Sequence, residues 1–279
     1  MDTPNQILMC SPKYYGIEYE INPWMNTERQ ADHQLAIRQW QSLKQIFEEL
    51  GVQILELEPV AGLPDLVFTA NAAMIHKQTA VVSSFRHVQR QGEEEHNEQW
   101  LLRHGFQLKY PPDDQYFEGA GDALFCGDTL FAGYRMRSDA AGLQDIGRMF
   151  GCRVIPLELV DTSYYHLDTC FCPLKAGQTI FYPAAFDSYG RKVLRELVDD
   201  LIEVDSEEAR HFSCNAVVLG ETVVTNEGCP KMCRQLKRRG YRVVETPLSE
   251  FVKAGGSAKC LTLRLDGEDA ASWSAETEG

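Results

Sequence analysis

Three side chains able to take part in covalent catalysis are separated by 48 and 94 residues, about one and two steps of a common spacing. Glu118 lies in the segment FEGAGD, His166 lies two residues before Asp168 in YHLDT, and Cys260 ends the segment GGSAKC. A thiol becomes an effective nucleophile when an imidazole moves its proton, and carboxylates can hold a cationic substrate against it. These residue types predict a site in which Cys260 attacks, His166 transfers protons and acidic side chains bind a cation.

The same residues occupy matching positions of a sequence repeat. Five short segments, each predicted to be extended, follow one another at steps of 47 to 49 residues. A period of this size is typical of a repeated supersecondary unit. Equivalent positions of units arranged in a ring face one central channel, so the repeat predicts that the three side chains converge. The segments are residues 66–70, 116–118, 165–167, 212–214 and 259–261.

Turn and hydrophobic patterns predict the content of each unit. The segments ALFC-GD-TLFA and AVVL-GE-TVVT place a two-residue turn with glycine between apolar runs, which is typical of a β-hairpin. A looser hairpin is predicted around KAGQ, and a helix and a short strand complete each unit. The predicted helices are residues 35–50, 97–103, 138–150, 188–200 and 231–239, followed by strands at 52–57, 106–110, 153–157, 201–204 and 241–245.

The fifth unit is predicted to close across the two ends of the sequence. Residues 260–265 would pair with residues 6–10, which would remove the exposed sheet edges of an open array. We therefore expect an α/β fold, a five-bladed α/β propeller with pseudo-fivefold symmetry, as one domain over residues 1–265. A doubly wound α/β sheet is the alternative, and the hairpins argue against it. Residues 266–279, acidic and rich in small side chains, are predicted to form a disordered tail.

The composition limits the class of protein and its partners. The formal net charge of −14 argues against nucleic-acid binding, because such proteins carry basic patches. No apolar run approaches the roughly 18 residues of a membrane span, and the first residues predict no signal peptide. Nine cysteines, an odd number without the paired spacing of a zinc site, are typical of reduced thiols. We therefore expect a cytoplasmic protein that binds no membrane.

Each of these residues also has an ordinary structural explanation. A lone histidine is more often a hydrogen-bonded core residue, and Glu118 could be a solvated loop charge beside a plain glycine turn. Asp168, predicted to share a strand face with His166, favours the catalytic explanation. Asp65 and Asn71 are either turn residues or oxygen acceptors for a guanidinium group. The candidates for binding a substrate carboxylate are Arg86, Arg90, Arg135 and Arg137.

In combination, these motifs resemble the guanidine-modifying, or pentein, superfamily of arginine deiminases, dimethylarginine dimethylaminohydrolases and amidinotransferases. The resemblance covers residues 6–265 and implies a five-bladed α/β propeller. It implies a hydrolase acting on C–N bonds in linear amidines, without a metal or organic cofactor. It implies that Cys260 forms a covalent amidino-enzyme and that His166 protonates the leaving amine and then activates water. Glu118 and Asp168 would hold the guanidinium nitrogens.

Two further segments resemble the arginine dihydrolase branch of that superfamily. They are NPWM, which begins at Asn22, and FTANA, which contains Phe68 and Asn71, and the resemblance implies that these residues bind substrate. Deiminases and dimethylarginine hydrolases carry an aspartate where Asn71 stands. An amide can accept from a guanidinium and donate to a neutral ureido oxygen, whereas a carboxylate can only accept. Asn71 could therefore keep citrulline bound for a second hydrolysis that yields ornithine, ammonia and carbon dioxide.

The sequence leaves other activities open. A dimethylarginine dimethylaminohydrolase or an arginine deiminase would use the same chemistry and release citrulline, and a transferase would need an amine acceptor. From a different class, an inactive arginine-binding module would show no turnover, although the intact Cys260, His166 and Glu118 argue against it. Ala120 in place of a frequent glycine is a departure from the family pattern. The expected partner is a small guanidino substrate, arginine or methylarginine, and the resemblance allows a homo-oligomer.

Overall fold

The chain forms five small sheets of three strands each, in a computed structural model that describes residues 5–175 and 177–271. In every sheet two strands pair antiparallel and a third strand joins in parallel, and in four of the five sheets the antiparallel pair is a hairpin. This architecture is the predicted five-bladed α/β propeller, and no continuous doubly wound sheet joins the described strands. The strands are β1 (Gln6–Cys10), β2 (Gln53–Leu57), β3 (Ala73–His76), β4 (Thr79–Val82), β5 (Gln107–Lys109), β6 (Ala123–Cys126), β7 (Thr129–Tyr134), β8 (Arg153–Glu158), β9 (Phe171–Lys175), β10 (Gln178–Phe181), β11 (Asp200–Glu203), β12 (Val217–Leu219), β13 (Thr222–Asn226), β14 (Arg242–Thr246) and β15 (Leu263–Arg264).

Helices connect the second and third strands of each blade. The first helix shows why these helices form. Its apolar residues Ala36, Leu43 and Phe47 lie on one face and are buried in a cluster with Ile7. The carboxylate of Asp32 caps the N-terminus of the helix. The α-helices are α1 (His33–Glu49), α2 (Val88–Gln91), α3 (Glu93–Arg103), α4 (Ala140–Phe150), α5 (Ser188–Leu197), α6 (Ser206–Ala209), α7 (Pro230–Arg238) and α8 (Ser249–Val252).

The two ends of the chain meet in one blade, as the repeat predicted. Strand β15 pairs antiparallel with β1, with Leu263 opposite Leu8, and β1 pairs in parallel with β2. The backbone N–H of Ala70 donates to the carbonyl oxygen of Cys260 at 3.1 Å. Closing the ring therefore also fixes the segment that carries Cys260 against residues 66–70, the first of the five repeat segments.

The five repeat segments lead into tight turns at the centre of the ring, and the prediction that they are extended was wrong for residues 66–70, 212–214 and 259–261. It holds at Phe117, which forms an antiparallel bridge with Ser84, and at His166, whose backbone is extended. Asp168 lies in a 3-10 turn (Leu167–Thr169) and shares no strand face with His166. Each segment must turn the chain into the next hairpin within a few residues, and bonds from residue i+3 to residue i satisfy its backbone groups locally. These bonds run from Asn71 to Phe68, Asp122 to Gly119, Cys170 to Leu167, Asn215 to Phe212 and Thr262 to Lys259.

The three hairpins predicted from the sequence are confirmed as β6–β7, β9–β10 and β12–β13. A fourth hairpin, β3–β4, was missed. Its turn contains Lys77 at a positive φ of 52°. Glycine is the usual residue in this conformation, and without a glycine the sequence contains no turn signal here.

Part of the predicted tail contacts the ring. Within residues 266–271, the carbonyl oxygen of Ala270 accepts from the backbone N–H of Gly127 at 2.6 Å. The boundary at residue 265 stays a prediction, and residues 272–279 of the predicted tail lie outside the described residues. Within the described ranges, no helix is long and apolar enough to cross a membrane.

Candidate active site

The adjoining turns at the centre of the ring hold four of the proposed site residues in two buried pairs, which together are called the cluster below. His166 Nε2 lies 2.7 Å from Glu118 Oε2, and Cys260 Sγ lies 3.3 Å from Asp168 Oδ2. None of the four residues has more than 3% of its surface exposed. Their charges are therefore set by one another and by the neighbouring arginines rather than by bulk water.

Glu118 is held as a carboxylate by the cations around it. Burial alone would raise the pKa of this carboxyl, but the charges of Arg137 and Arg90 and the hydrogen bond from His166 outweigh burial and bring the pKa below its usual value. Arg137 Nη1 lies 3.1 Å from Oε2. Because an ionised carboxylate only accepts hydrogen bonds, Glu118 is suited to imidazole and guanidinium N–H donors.

His166 is neutral in this environment. Burial lowers the pKa of its imidazole to about 4, although the hydrogen bond to Glu118 opposes the shift. Since Glu118 can only accept, Nε2 carries the proton of the neutral ring and Nδ1 is the basic nitrogen. A neutral His166 can take a proton from a thiol and later deliver it to a leaving amine.

Cys260 and Asp168 form a buried hydrogen-bonded pair, and the nearby Lys259 acts to lower the pKa of Asp168. Burial raises the pKa of Cys260 well above its usual value, and Asp168 raises it further. Burial also raises the pKa of Asp168 to about 7, although the hydrogen bond with Cys260 opposes this shift. Among the residues that the structure describes, Oδ1 of Asp168 has no hydrogen-bond partner. A buried carboxylate oxygen without a partner, beside a thiol, is suited to a cation whose charge lowers both pKa values.

Asn71 is oriented by an arginine of the chain itself. Arg90 Nη1 donates to Asn71 Oδ1 at 2.9 Å, and Asn71 Nδ2 donates to the carbonyl oxygen of Glu118 at 3.3 Å. Arginine only donates and a carbonyl only accepts, so both contacts fix the same orientation of the amide. Arg90 is held in turn by Glu93 through two hydrogen bonds. The oxygen that we expected to accept from a substrate faces Arg90, and Asn71 presents its nitrogen to the cluster.

The glycines of FEGAGD allow the backbone to approach this amide closely. A Cβ atom at Gly121 would clash with Asn71 Nδ2 and lie 3.4 Å from Cγ of His166. Gly119 adopts a φ of 60°, and a Cβ there would lie 2.9 Å from a neighbouring backbone carbonyl. These glycines therefore serve close packing as well as turn formation.

The four arginines proposed to bind substrate fall into two groups. Arg90 and Arg137 are buried beside the cluster, whereas Arg86 and Arg135 pair with acidic side chains nearer the surface. The ring of Phe68 lies against the loop of the nucleophile, because a Cβ at Gly256 would be 2.5 Å from it.

Asp65 is buried and lies near Arg90. Burial raises the pKa of its carboxyl group, and the charge of Arg90 opposes that shift. Its backbone carbonyl accepts from Arg90 Nη2 at 3.2 Å. Across residues 5–175 and 177–271, no three His, Cys, Asp or Glu side chains are placed to share a metal ion.

A loop around Asn22 contacts residues beside the cluster. Arg137 Nη2 donates to the carbonyl oxygen of Ile21 at 3.0 Å, and Asn22 Nδ2 donates to the carbonyl oxygen of Ala254 at 3.0 Å. Both contacts join the loop to segments that carry site residues. Because the cluster has almost no exposed surface, we expect a surrounding segment to move before a substrate can enter.

Two buried polar residues to which the sequence assigned no role also contact the site. Asp122 Oδ1 accepts from the backbone N–H of Leu167 at 3.1 Å, which ties the FEGAGD turn to the turn after His166. Asn215 Nδ2 lies 3.1 Å from Cys260 Sγ. A signal for Asn215 was present, because the segment FSCN that it ends matches FTAN, which ends at Asn71, at the equivalent place of the repeat.

The fold and the cluster together define a class of protein. A five-bladed α/β propeller with a thiol, an imidazole and carboxylates buried at its axis is the architecture of the guanidine-modifying enzymes. The family model for N,N dimethylarginine dimethylhydrolase, eukaryotic, matches residues 12–266, so the chain belongs to this family, within the arginine dihydrolase and dimethylarginine dimethylaminohydrolase branch of the penteins.

Known members differ in their reactions. The bifunctional arginine dihydrolase/ornithine cyclodeaminase ArgZ of Synechocystis sp. is 42% identical over 265 residues, which are 93% of this chain and 37% of that protein. The N(G),N(G)-dimethylarginine dimethylaminohydrolase of Mycobacterium tuberculosis is 38% identical over 258 residues, which are 92% of this chain and 84% of that protein. The crystal structure of the N-terminal domain of ArgZ bound to product superposes with a TM-score of 0.92 at 40% identity, covering 96% of this chain and 99% of that domain.

Proposed function

We propose that the chain hydrolyses the guanidino group of L-arginine twice and releases ornithine, two molecules of ammonia and carbon dioxide. The observation that carries this proposal is the orientation of Asn71, whose oxygen accepts from Arg90 while its nitrogen faces Glu118. An N–H donor can bind the oxygen of a neutral ureido group, which a carboxylate in the same place would repel. The similarity to ArgZ over 93% of the chain supports the same reaction.

The guanidinium cation of the substrate starts the first hydrolysis. Asp168 and Glu118 accept its N–H groups, and its charge lowers the pKa of Cys260, which burial had raised. Neutral His166 takes the thiol proton, and the thiolate attacks the guanidinium carbon. The imidazolium then returns the proton to one nitrogen, and ammonia leaves. A cationic amidino-thioether on Cys260 remains.

Water completes the first hydrolysis and begins the second. His166 removes a proton from water as the oxygen bonds to the thioether carbon, and the C–S bond breaks to give citrulline and the Cys260 thiolate. The thiolate then attacks the ureido carbon, a second ammonia leaves, and a thiocarbamate forms. A second water releases the carbamate of ornithine, which loses carbon dioxide. Two waters are consumed and two ammonia molecules leave, so the atoms balance.

The variant Asn71→Asp should change the product from ornithine to citrulline. A carboxylate still accepts from Arg90 but cannot donate to the ureido oxygen, so citrulline would leave before the second attack. We expect the rate of arginine consumption to stay within about tenfold of the unchanged protein, because the first substrate is a cation. The ratio of citrulline to ornithine is measured by mass spectrometry once all arginine has been consumed.

A matched control for this variant is Asn226→Asp. Asn226 is a buried amide that contacts the backbone of His211 and Leu248, outside the cluster. We expect its product to remain ornithine. An unchanged product ratio in Asn71→Asp would show that the amide does not decide between one hydrolysis and two.

A second function is favoured by the family model over residues 12–266, namely release of dimethylamine and citrulline from asymmetric dimethylarginine. Separate incubations with arginine, citrulline and asymmetric dimethylarginine distinguish the two. Ornithine from arginine and from citrulline supports the dihydrolase. Citrulline with dimethylamine, formed only from the methylated substrate, supports the second function, and citrulline as the end product from arginine indicates a deiminase.

We also infer a cytoplasmic location and a homo-oligomeric state. All nine cysteines are free, which supports a reducing compartment. The resemblance to the superfamily supports self-association, and the mass of the purified protein in solution tests it.

A further inference from the structure

Asn215 uses both ends of its side chain at the nucleophile. The residue is fully buried, and its Oδ1 accepts from the backbone N–H groups of Ser257 and Cys260, each at 3.1 Å. Its Nδ2 donates to the carbonyl oxygen of Asp168 at 3.1 Å and to Cys260 Sγ at 3.1 Å. Two backbone donors at the oxygen and a carbonyl at the nitrogen leave one orientation of the amide. The N–H facing the sulfur is therefore fixed.

The two side chains in hydrogen-bond contact with the sulfur act in opposite directions. Asp168 Oδ2 accepts from the thiol at 3.3 Å, so it favours the protonated sulfur. Asn215 donates, so it favours the thiolate, and its hydrogen bond lowers the pKa of Cys260 against the larger effect of burial. A hydrogen bond to an ionised acceptor is roughly twice as strong as one between neutral groups. The contact therefore strengthens when Cys260 loses its proton.

We propose that Asn215 is a catalytic residue whose amide N–H stabilises the Cys260 thiolate while its amide oxygen holds the backbone of the nucleophile in place. The thiolate is the attacking group when each C–S bond forms and the leaving group when each C–S bond breaks. The same donor therefore serves all four events in two successive hydrolyses. This inference rests on the proposed function only in taking Cys260 as the nucleophile, and it does not depend on which guanidino compound is the substrate.

The variant Asn215→Asp tests the donor while preserving the acceptor. A carboxylate still accepts from the N–H groups of Ser257 and Cys260 but places a negative charge beside the sulfur in place of a donor. The readout is the rate of alkylation of Cys260 by iodoacetamide across a pH series without substrate, measured on the Cys260 peptide because the chain has nine cysteines. We expect alkylation at neutral pH to slow about tenfold or more, with the midpoint of the pH profile moved upward.

Turnover provides a second readout. We expect kcat to fall about 10- to 100-fold while KM changes less than about threefold, because the amide contacts the sulfur rather than the substrate. The variant Asn215→Ala, which buries no charge, should shift both readouts in the same direction by a smaller amount. Asn215→Ala therefore tests the proposal even if Asn215→Asp does not fold. The unfolding midpoint of each variant shows whether that variant is folded.

Asn226→Asp is the matched control, since Asn226 also braces two loop segments through buried backbone contacts but does not touch Cys260. The inference is overturned if a folded Asn215 variant keeps the alkylation profile of the unchanged protein, or if Asn226→Asp shifts that profile equally. Failure of the proposed function would look different. The product would then not be ornithine, while the alkylation of Cys260 would still depend on Asn215.

Discussion

Cys260→Ala should abolish turnover of arginine, with a loss of about 10⁴-fold or more, and should still bind arginine. The covalent bond to the guanidinium carbon needs the sulfur, whereas the carboxylates of Glu118 and Asp168 that hold the cation remain in place. Ammonia release measures the first expectation. The second is measured by calorimetry, or by the rise in unfolding midpoint that a ligand bound to the folded state produces.

The control for this variant is Cys229→Ala. Cys229 is also buried and free, but it lies at the start of α7 and belongs to a different contact cluster. We expect this variant to keep its turnover, which would exclude a general loss from removing a buried thiol. Turnover by Cys260→Ala above about one per cent of the unchanged rate would place the nucleophile elsewhere.

Asp168→Asn should lower kcat/KM for arginine about 10³-fold, equivalent to about 4 kcal/mol of transition-state stabilisation. The amide keeps the shape of the side chain and can still accept from Cys260, but it has no charge with which to hold a buried guanidinium. In the unchanged protein, protonation of Asp168 at low pH should lower kcat/KM in the same way as the substitution does. Because burial raises the pKa of Asp168 to about 7, kcat/KM should fall as the pH drops through that value. This acid limb should be absent in Asp168→Asn.

The same variant should be more stable than the unchanged protein above pH 7. The folded-state pKa of Asp168 is raised from 3.8 to about 7, so the folded protein binds this proton more tightly than the unfolded chain. The unfolding free energy therefore decreases as the pH rises between those values, and the full cost is present above the higher one. Asparagine removes this cost, and the gain in unfolding midpoint should vanish as the pH approaches 3.8.

The exposed Asp114 supplies the control for both readouts. We expect Asp114→Asn to change neither the pH profile of kcat/KM nor the pH dependence of stability. An Asp168→Asn protein with nearly unchanged kcat/KM would contradict the assignment of this carboxylate to the cation. An Asp168→Asn protein that is less stable than the unchanged protein at every pH would contradict the statement that the buried carboxylate of Asp168 destabilises the fold.

The ring could be predicted because its signals are local and repeated. Turns containing glycine, such as that at Gly127, specify hairpins by their backbone conformation. Glu118, His166 and Cys260 lie one and two repeat lengths apart, and this spacing predicts that they converge. The count of five repeat units also predicted that the last blade closes across the two ends of the chain. The hairpin at Lys77 was missed because a left-handed lysine leaves no mark in the sequence.

The properties that decide the chemistry could not be predicted in this way. Residues 66–70 and 212–214 have the composition of strands but form turns, which is the kind of local preference that tertiary context overrides. The orientation of Asn71 depends on Arg90, which lies on a separate helix and is held by Glu93. The pKa values of Asp168 and His166 depend on burial, for which the sequence supplies only a weak signal.

Arginine labelled with carbon-13 at the guanidino carbon offers the most direct test of a double hydrolysis. The purified protein would be given this substrate alone, and the label would be followed by NMR until no arginine remains. We expect the label to end as carbon dioxide and bicarbonate, with unlabelled ornithine and only transient citrulline. Label that stays in the ureido carbon of accumulating citrulline would contradict it and would reduce the reaction to a single hydrolysis.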